Sequence, residues 1–341
     1  MGISGLKQRN SFVKEATYGT NPGSGYASIG SIQGDPTINA DNKLIDIHAA
    51  GRINTRSILT GAHEVSAKVD WFVQDGNFLA MCLGDWDTTS PVTNGSNYQH
   101  LATTEDSTST TATPVEYENN SYSLSMGLDE TTSDDVLVLT GCKTNSLTLT
   151  LGMEEPLRAS ADIFAQKATY DTTVDTFDEI AYGPWMYHDK GTVNVDSSSV
   201  ANLTNLTINL GNDLQREYGI LPTSNKRCAT AIHQGQRTIT GSITFNYSDY
   251  GNLQKFFSDN SGATTASDDE VAEFDVNFLL DNNETTTSAD YRGIYVSIVG
   301  MKLGTLEKKF PQNGSVVTET YDFTAKTINT SYYDEESSDA W

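Results

Sequence analysis

A chain of 341 residues with 45 acidic against 21 basic side chains carries a net charge of −24. That excludes ordinary nucleic-acid binding, in which clustered Lys and Arg neutralise phosphates. Three scattered cysteines (Cys82, Cys142, Cys228), with no CxxC pair, exclude a disulfide framework and suit a reducing cytosol, and no apolar run approaches the roughly 18 residues of a membrane span.

In chain order, the opening stretch lacks the apolar core of a signal peptide, so a soluble protein made in the cytoplasm is expected. Thr37-Ile38-Asn39 leads into a long segment that ends in a strand. There Val65, Val69, Trp71 and Val73 face a core while Glu64, Ser66, Lys68 and Asp70 face out, the period-two mark of a half-buried strand. Asp75 is placed to cap a short helix running to Leu83, with Phe78, Leu79, Cys82 and Leu83 on one face and Gly84 ending it. The Thr- and Ser-rich stretch 87–119 reads as a surface insertion. Tyr122, Leu124, Met126 and Leu128 then alternate with serines, and Leu147, Leu149 and Leu151 alternate with threonines.

The same order then recurs. Thr207-Ile208-Asn209 repeats Thr37-Ile38-Asn39, with Asn212 and Leu214 answering Asn42 and Leu44. Ile239, Ile243, Phe245 and Tyr247 face in, and Thr238, Thr240, Ser242 and Thr244 face out, as in the earlier long strand. Asp249 is placed to cap a second helix carrying Leu253, Phe256 and Phe257. Phe274, Val276, Phe278 and Leu280 alternate as a strand, and Gly141, Lys143, Leu147, Phe164 and Lys167 return at one common spacing as Gly300, Lys302, Leu306, Phe323 and Lys326. Shared parity is a sign of shared register, because a one-residue slip turns every side chain to the other face. The expectation is a mainly β chain: two tandem copies of an antiparallel sandwich or barrel, each with one short helix. The boundaries read as an arm at 1–24, copy 1 at 25–168, a linker at 169–190, copy 2 at 191–328 and an acidic tail at 329–341.

No pattern of reaction chemistry stands out. The five histidines form no HxH or HExxH, there is no nucleophile elbow or phosphate loop, and Asp171, Asp175, Asp178 and Glu179 lack calcium-loop spacing. No enzyme, cofactor or metal is therefore expected. The acidity fits either adaptation to a salt-rich cytoplasm, the favoured reading, or a surface that repels DNA; at about 1 M salt the Debye length falls to roughly 3 Å, so repulsion over distance vanishes.

Lys14-Glu15-Ala16-Thr17-Tyr18-Gly19-Thr20, the segment Gly141-Cys142-Lys143-Thr144-Asn145-Ser146-Leu147-Thr148-Leu149, and the strand end at Phe164 and Lys167 together resemble the tail tube (major tail) proteins of long-tailed viruses. The likeness runs through both copies, and the acidic composition suggests a haloarchaeal host. It implies subunits in stacked rings, homo-trimers with pseudo-six-fold symmetry because each chain carries two copies. Their strands would join into a barrel through which double-stranded DNA passes without tight binding. Tape-measure and terminator proteins are the further partners implied, and the location is the virion tail after assembly in the host cytoplasm. Under that resemblance Glu64, Ser66, Lys68, Asp70, Thr238, Thr240, Ser242 and Thr244 are candidates to line the channel, although the same face serves equally well as the outer solvent surface. The stretches Ile45 to Thr60 and Gln215 to Gln234, with Arg52, Arg56, Arg216 and Arg227, are expected to be arms that reach the adjacent ring. The competing reading is a secreted or surface β-sandwich binding module. A secretion signal or calcium-loop spacing would favour it, and neither is found.

Overall fold

The computed structural model describes residues 8–48, 50–51, 53–86, 92–94, 97–103, 120–128, 134–152, 155–173, 187–195, 198–199, 202–219, 227–247, 256–257, 271–285, 291–312 and 315–334. In the first half these form β1 (Gln8–Lys14), β2 (Ala27–Ser28), β3 (Ser31–Ile32), β4 (Thr37–Ile47), β5 (Ser57–Phe72), α1 (Asn77–Leu83), β6 (Asp85–Trp86), β7 (Val92–Asn94), β8 (Asn97–Thr103), β9 (Tyr122–Leu128), β10 (Asp135–Gly152), β11 (Arg158–Ala165) and β12 (Lys167–Asp171). The second half adds β13 (Tyr187–Val195), β14 (Ser198–Ser199), β15 (Leu203–Gly211), β16 (Gln215–Glu217), β17 (Ala231–His233), β18 (Thr238–Asn246), β19 (Phe274–Thr285), β20 (Tyr291–Lys309), β21 (Thr318–Ala325) and β22 (Thr327–Asp334). The chain is mainly β and antiparallel, as its alternation predicts.

One long sheet runs β4–β5–β11–β10–β15–β18–β21–β20. Two smaller sheets accompany it. The first is β2–β1–β9–β10–β12; the second is β14–β13–β19–β20–β22–β8, with β6 and β7 also on β8. Residues of all three sheets share one apolar cluster, from Phe12 and Tyr122 through Val65, Trp71 and Ile243 to Val276 and Ile298. Each such fully buried aliphatic or aromatic side chain contributes about 1.5–3 kcal/mol relative to exposure.

β10 and β20 are each long enough to serve two sheets, and both change sheet at a glycine. Gly141 and Gly300 have φ of 63° and 65°, a left-handed conformation that a side chain resists. The Gly141 N–H donates to Glu15 at 2.8 Å, and the Gly300 N–H donates to Asp275 at 2.9 Å. Glu15 also accepts from the Gly19 N–H at 2.8 Å and the Ser123 hydroxyl at 2.7 Å. A buried carboxylate thus ties the Lys14–Thr20 motif to the Gly141 motif, although they lie far apart in sequence.

The two halves of the long sheet follow the same order, β4–β5–β11–β10 and β15–β18–β21–β20. Ile38 stands opposite Ala67 and Ile208 opposite Gly241, the pairing expected if the Thr-Ile-Asn segments and the long strands correspond. Two matched pairs do not hold. Val69 faces Ala161 in the first half and Ile243 faces Tyr321 in the second, so Ala161 answers Tyr321 and Ile163 answers Phe323. Phe164 is therefore one position away from Phe323 and on the opposite face. Likewise Gln166 takes the place of Lys326: their N–H groups donate to Thr140 and Val299, and their side chains sit beside Gly141 and Gly300.

Other details also differ from expectation. Helix α1 starts after Gly76, and Asp75 accepts from the Asn77 N–H at 3.2 Å rather than standing at the N-cap; Phe78 through Leu83 are buried all round. Of the second helix only Phe256 and Phe257 lie within the described residues, with Phe256 against the core. Strand β9 is buried on both faces because Ser123 reaches Glu15. Residues 92–94 and 97–103, inside the expected surface insertion, form β7 and β8, and β8 pairs with β22 of the other half. The expected N-terminal arm contains β1, which holds Phe12 in the core, and β22 runs to Asp334 through the start of the expected tail. The linker 169–190 includes the ends of β12 and β13, and Tyr182, Trp185 and Met186 of its aromatic cluster lie outside the described residues.

Candidate assembly surface

The candidate channel residues all lie on one face of the long sheet. Register fixes this: Asp70 stands opposite Ser160, Lys68 opposite Asp162 and Ser66 opposite Phe164. In the second half Thr240 faces Asn209 and Thr324, Ser242 faces Thr207 and Asp322, and Thr244 faces Asn205 and Thr320. The opposite face of the same strands carries Val65, Val69, Trp71, Ile239, Ile243 and Phe245 into the core.

That polar face is charged along β5 and hydroxylated along β18. Lys43 reaches Asp41 at 2.8 Å and Glu64 at 3.2 Å, and the hydrogen bonds it donates to these carboxylates raise its pKa above the usual lysine value. Arg158 approaches Asp70 at 3.6 Å, and Ser146 donates to Asp162 at 2.9 Å. At the four positions that answer Glu64, Ser66, Lys68 and Asp70, β18 carries only hydroxyls, with Thr244 and Thr320 in contact at 3.0 Å. Such a face offers little cationic charge to hold a polyanion.

The two arms differ in their use. The outer part of the β4–β5 hairpin exposes Leu44 (63%), Ile45, Ile47, Ile58 and Leu59, and Ile53 at its tip is fully exposed. These side chains form an exposed apolar patch on both sides of the ribbon. Arg56 is exposed on this hairpin, with its N–H donating to Ile47; Arg52 lies outside the described residues. The second arm, β16–β17, instead folds back on the first half. Arg216 stacks over Phe164 at 4.0 Å and donates to the Val65 carbonyl at 2.6 Å, while Arg227 donates to the Gly61 carbonyl at 2.8 Å and to Asn42 at 2.5 Å. Leu214, Ala229 and Ile232 form a small cluster there with Tyr18 and Phe164. Sequence reasoning missed this clasp, because an Arg that binds backbone carbonyls leaves no motif.

Among the described residues β12 pairs only with β10, and beside it lies a cleft of about 240 Å³ lined by Gly19, Thr20, Asn21, Thr140, Lys167 and Asp171 among others. Among the described residues no group of three or more His, Cys, Asp or Glu is placed to hold a metal ion, and no helix is long and apolar enough to cross a membrane.

No curated protein matches the chain significantly. Among solved structures, one from the cryo-EM structure of the anti-feeding prophage cap, its tube-terminating cap, is 11% identical, covers 45% of this chain and 95% of its own, and superposes with a TM-score of 0.30, too low to bear on the fold. The family model for phage tail tube proteins matches residues 5–325. Nearly the whole sequence lies within that match, so the chain belongs to the phage tail tube protein family, and its role is that of a structural component of a viral tail.

Proposed function

We propose that this protein polymerises into stacked rings that form the tail tube, a conduit for viral DNA during genome delivery. The carrying observation is the eight-strand sheet, polar on one face, backed by further sheets on the other and, among the described residues, open at both ends. Open edges of this kind invite edge-to-edge pairing, and closing them into a ring removes that hazard. The repeated strand order supports two copies of one unit, hence three chains for a pseudo-six-fold ring. Three chains would supply roughly 24 strands, beyond the 16–18-stranded barrels that already leave an aqueous channel. The backing sheets need the larger circumference, so the polar face turns inward and Glu64, Ser66, Lys68, Asp70, Thr238, Thr240, Ser242 and Thr244 line the channel. DNA passes without being held because this face carries few cations, and Lys43 and Arg158 among them lie beside carboxylates. Tape-measure and terminator proteins meet the tube at its ends, assembly occurs in the host cytoplasm, and the acidic composition suits a salt-rich host. The exposed β4–β5 hairpin is the arm that contacts the adjacent ring.

Electron microscopy of the purified protein in low and high salt tests this. Rings or tubes with a central channel and a three-fold repeat of doubled units are expected. A protein that stays monomeric in every salt overturns the reading.

A further inference from the structure

Resting on the tube reading, we propose that the seam between neighbouring chains copies the seam inside the chain, residue for residue. Strand β20 of one chain pairs antiparallel with β4 of the next, with Thr305 opposite Asp41, Glu307 opposite Asn39 and Lys309 opposite Thr37 of the next chain.

The template is the junction of the two halves, where β10 pairs with β15: Ser146 faces Gly211, Thr148 faces Asn209 and Thr150 faces Thr207. β20 answers β10 through the shared left-handed glycine and through an irregularity at the same place, between Thr144 and Ser146 in β10 and between Leu303 and Leu306 in β20. β4 answers β15 through the Thr-Ile-Asn segments and the matching ladders to β5 and β18. Transferring the β10–β15 register through these two equivalences yields the register stated.

Burial changes where the neighbour is missing. Leu151 is 2% exposed beside β15, whereas Phe310 at the corresponding place after β20 is 72% exposed. Ile208 is buried and Ile38 only partly so; Asn212 is fully buried and Asn42 exposed. Among the described residues no strand covers the outer edge of β4 or of Lys302–Lys309.

The chemistry also transfers. Inside the chain, Asn212 accepts from Arg237 at 2.9 Å and donates through its amide to the Thr144 carbonyl across the seam at 2.8 Å. Asn42 already accepts from Arg227, so the same amide geometry carries a donor to the Leu303 carbonyl of the preceding chain. The Thr148–Asn209 hydrogen bond becomes an Asn39 amide donating to the Glu307 carboxylate. Lys308 does not guard the edge against pairing: its ammonium is engaged by Glu319 at 2.7 Å and lies over the Tyr247 ring at 3.6 Å.

Cysteine cross-linking of assembled particles tests the register. In a Cys228→Ser background, Asn39→Cys with Glu307→Cys puts the two Cα atoms about 5 Å apart, within disulfide reach. Asp41→Cys with Glu307→Cys is the slipped control, about 7–8 Å apart on the diagonal. Mild oxidation is expected to give covalent dimers and trimers with the first pair at about tenfold the yield of the second. Equal yields, or a higher yield in the control, overturn the register. Tubes visible by microscopy without any cross-link overturn the seam and leave the tube reading standing. Particles that never form, with the unmodified chain also monomeric, overturn both.

Discussion

At the scale of single residues, the core holds acids that prefer to stay neutral. Burial pushes the Cys82 thiol up to about 12, and pushes the Cys142 thiol and the Tyr122 phenol well above their ordinary values. The unfolded chain releases these protons first, near pH 9 for the thiols, so the folded state binds more protons above that pH and its stability falls as pH rises. Stability is expected to be full below about pH 8.5 and to decline toward pH 12, by up to roughly 1.4 kcal/mol per pH unit for each group. Cys82→Ala should flatten this slope by one proton, read from urea midpoints measured at several alkaline pH values; an unchanged slope would show that Cys82 does not titrate on unfolding.

Individual elements show how far the sequence could be read. The paired glycines were legible because only a left-handed turn needs the same residue at the same place twice. The parity of β5 and β18 was legible because one face is apolar throughout. The Phe164 and Phe323 match misled: letters align at one spacing, but the sheet aligns faces, and Phe164 sits on the polar side under Arg216. The pairing of β8 with β22 was not legible, since a mixed, mostly polar strand such as NYQHLAT names no partner. At the sheet crossings, a Cβ on Gly141 would meet the Gln166 Cβ at 2.7 Å and the Tyr18 ring at 3.1 Å, whereas on Gly300 it would meet the flexible Lys326 Cδ at 2.7 Å. Both Gly→Ala changes incur about 1–2 kcal/mol for the left-handed backbone. Gly141→Ala is expected to lose clearly more than Gly300→Ala in thermal unfolding, because Gln166 has less room to yield; equal losses would count against the packing difference.

For the whole molecule, the two arms have parted ways. One is clasped onto its own chain by Arg216 and Arg227, and the other projects apolar side chains into solvent. Replacing residues 45–59 with a short turn should leave rings intact while abolishing tubes, as seen by electron microscopy and sedimentation. Tubes of normal length would remove the hairpin from the stacking contact.

The pairing of β8 with β22 also sets a clock. The Thr330 hydroxyl and the Ala102 carbonyl that meet there are 228 positions apart. At a synthesis rate of about 5–20 residues per second, the earlier strand waits roughly 10–45 s on the ribosome for its partner to emerge. Until then the nascent chain carries an unsatisfied ladder, so neither half is finished before the other, and a truncated chain that ends before residue 327 has no companion for it. If the chain polymerises as proposed, its competence to do so waits until β22 has been translated.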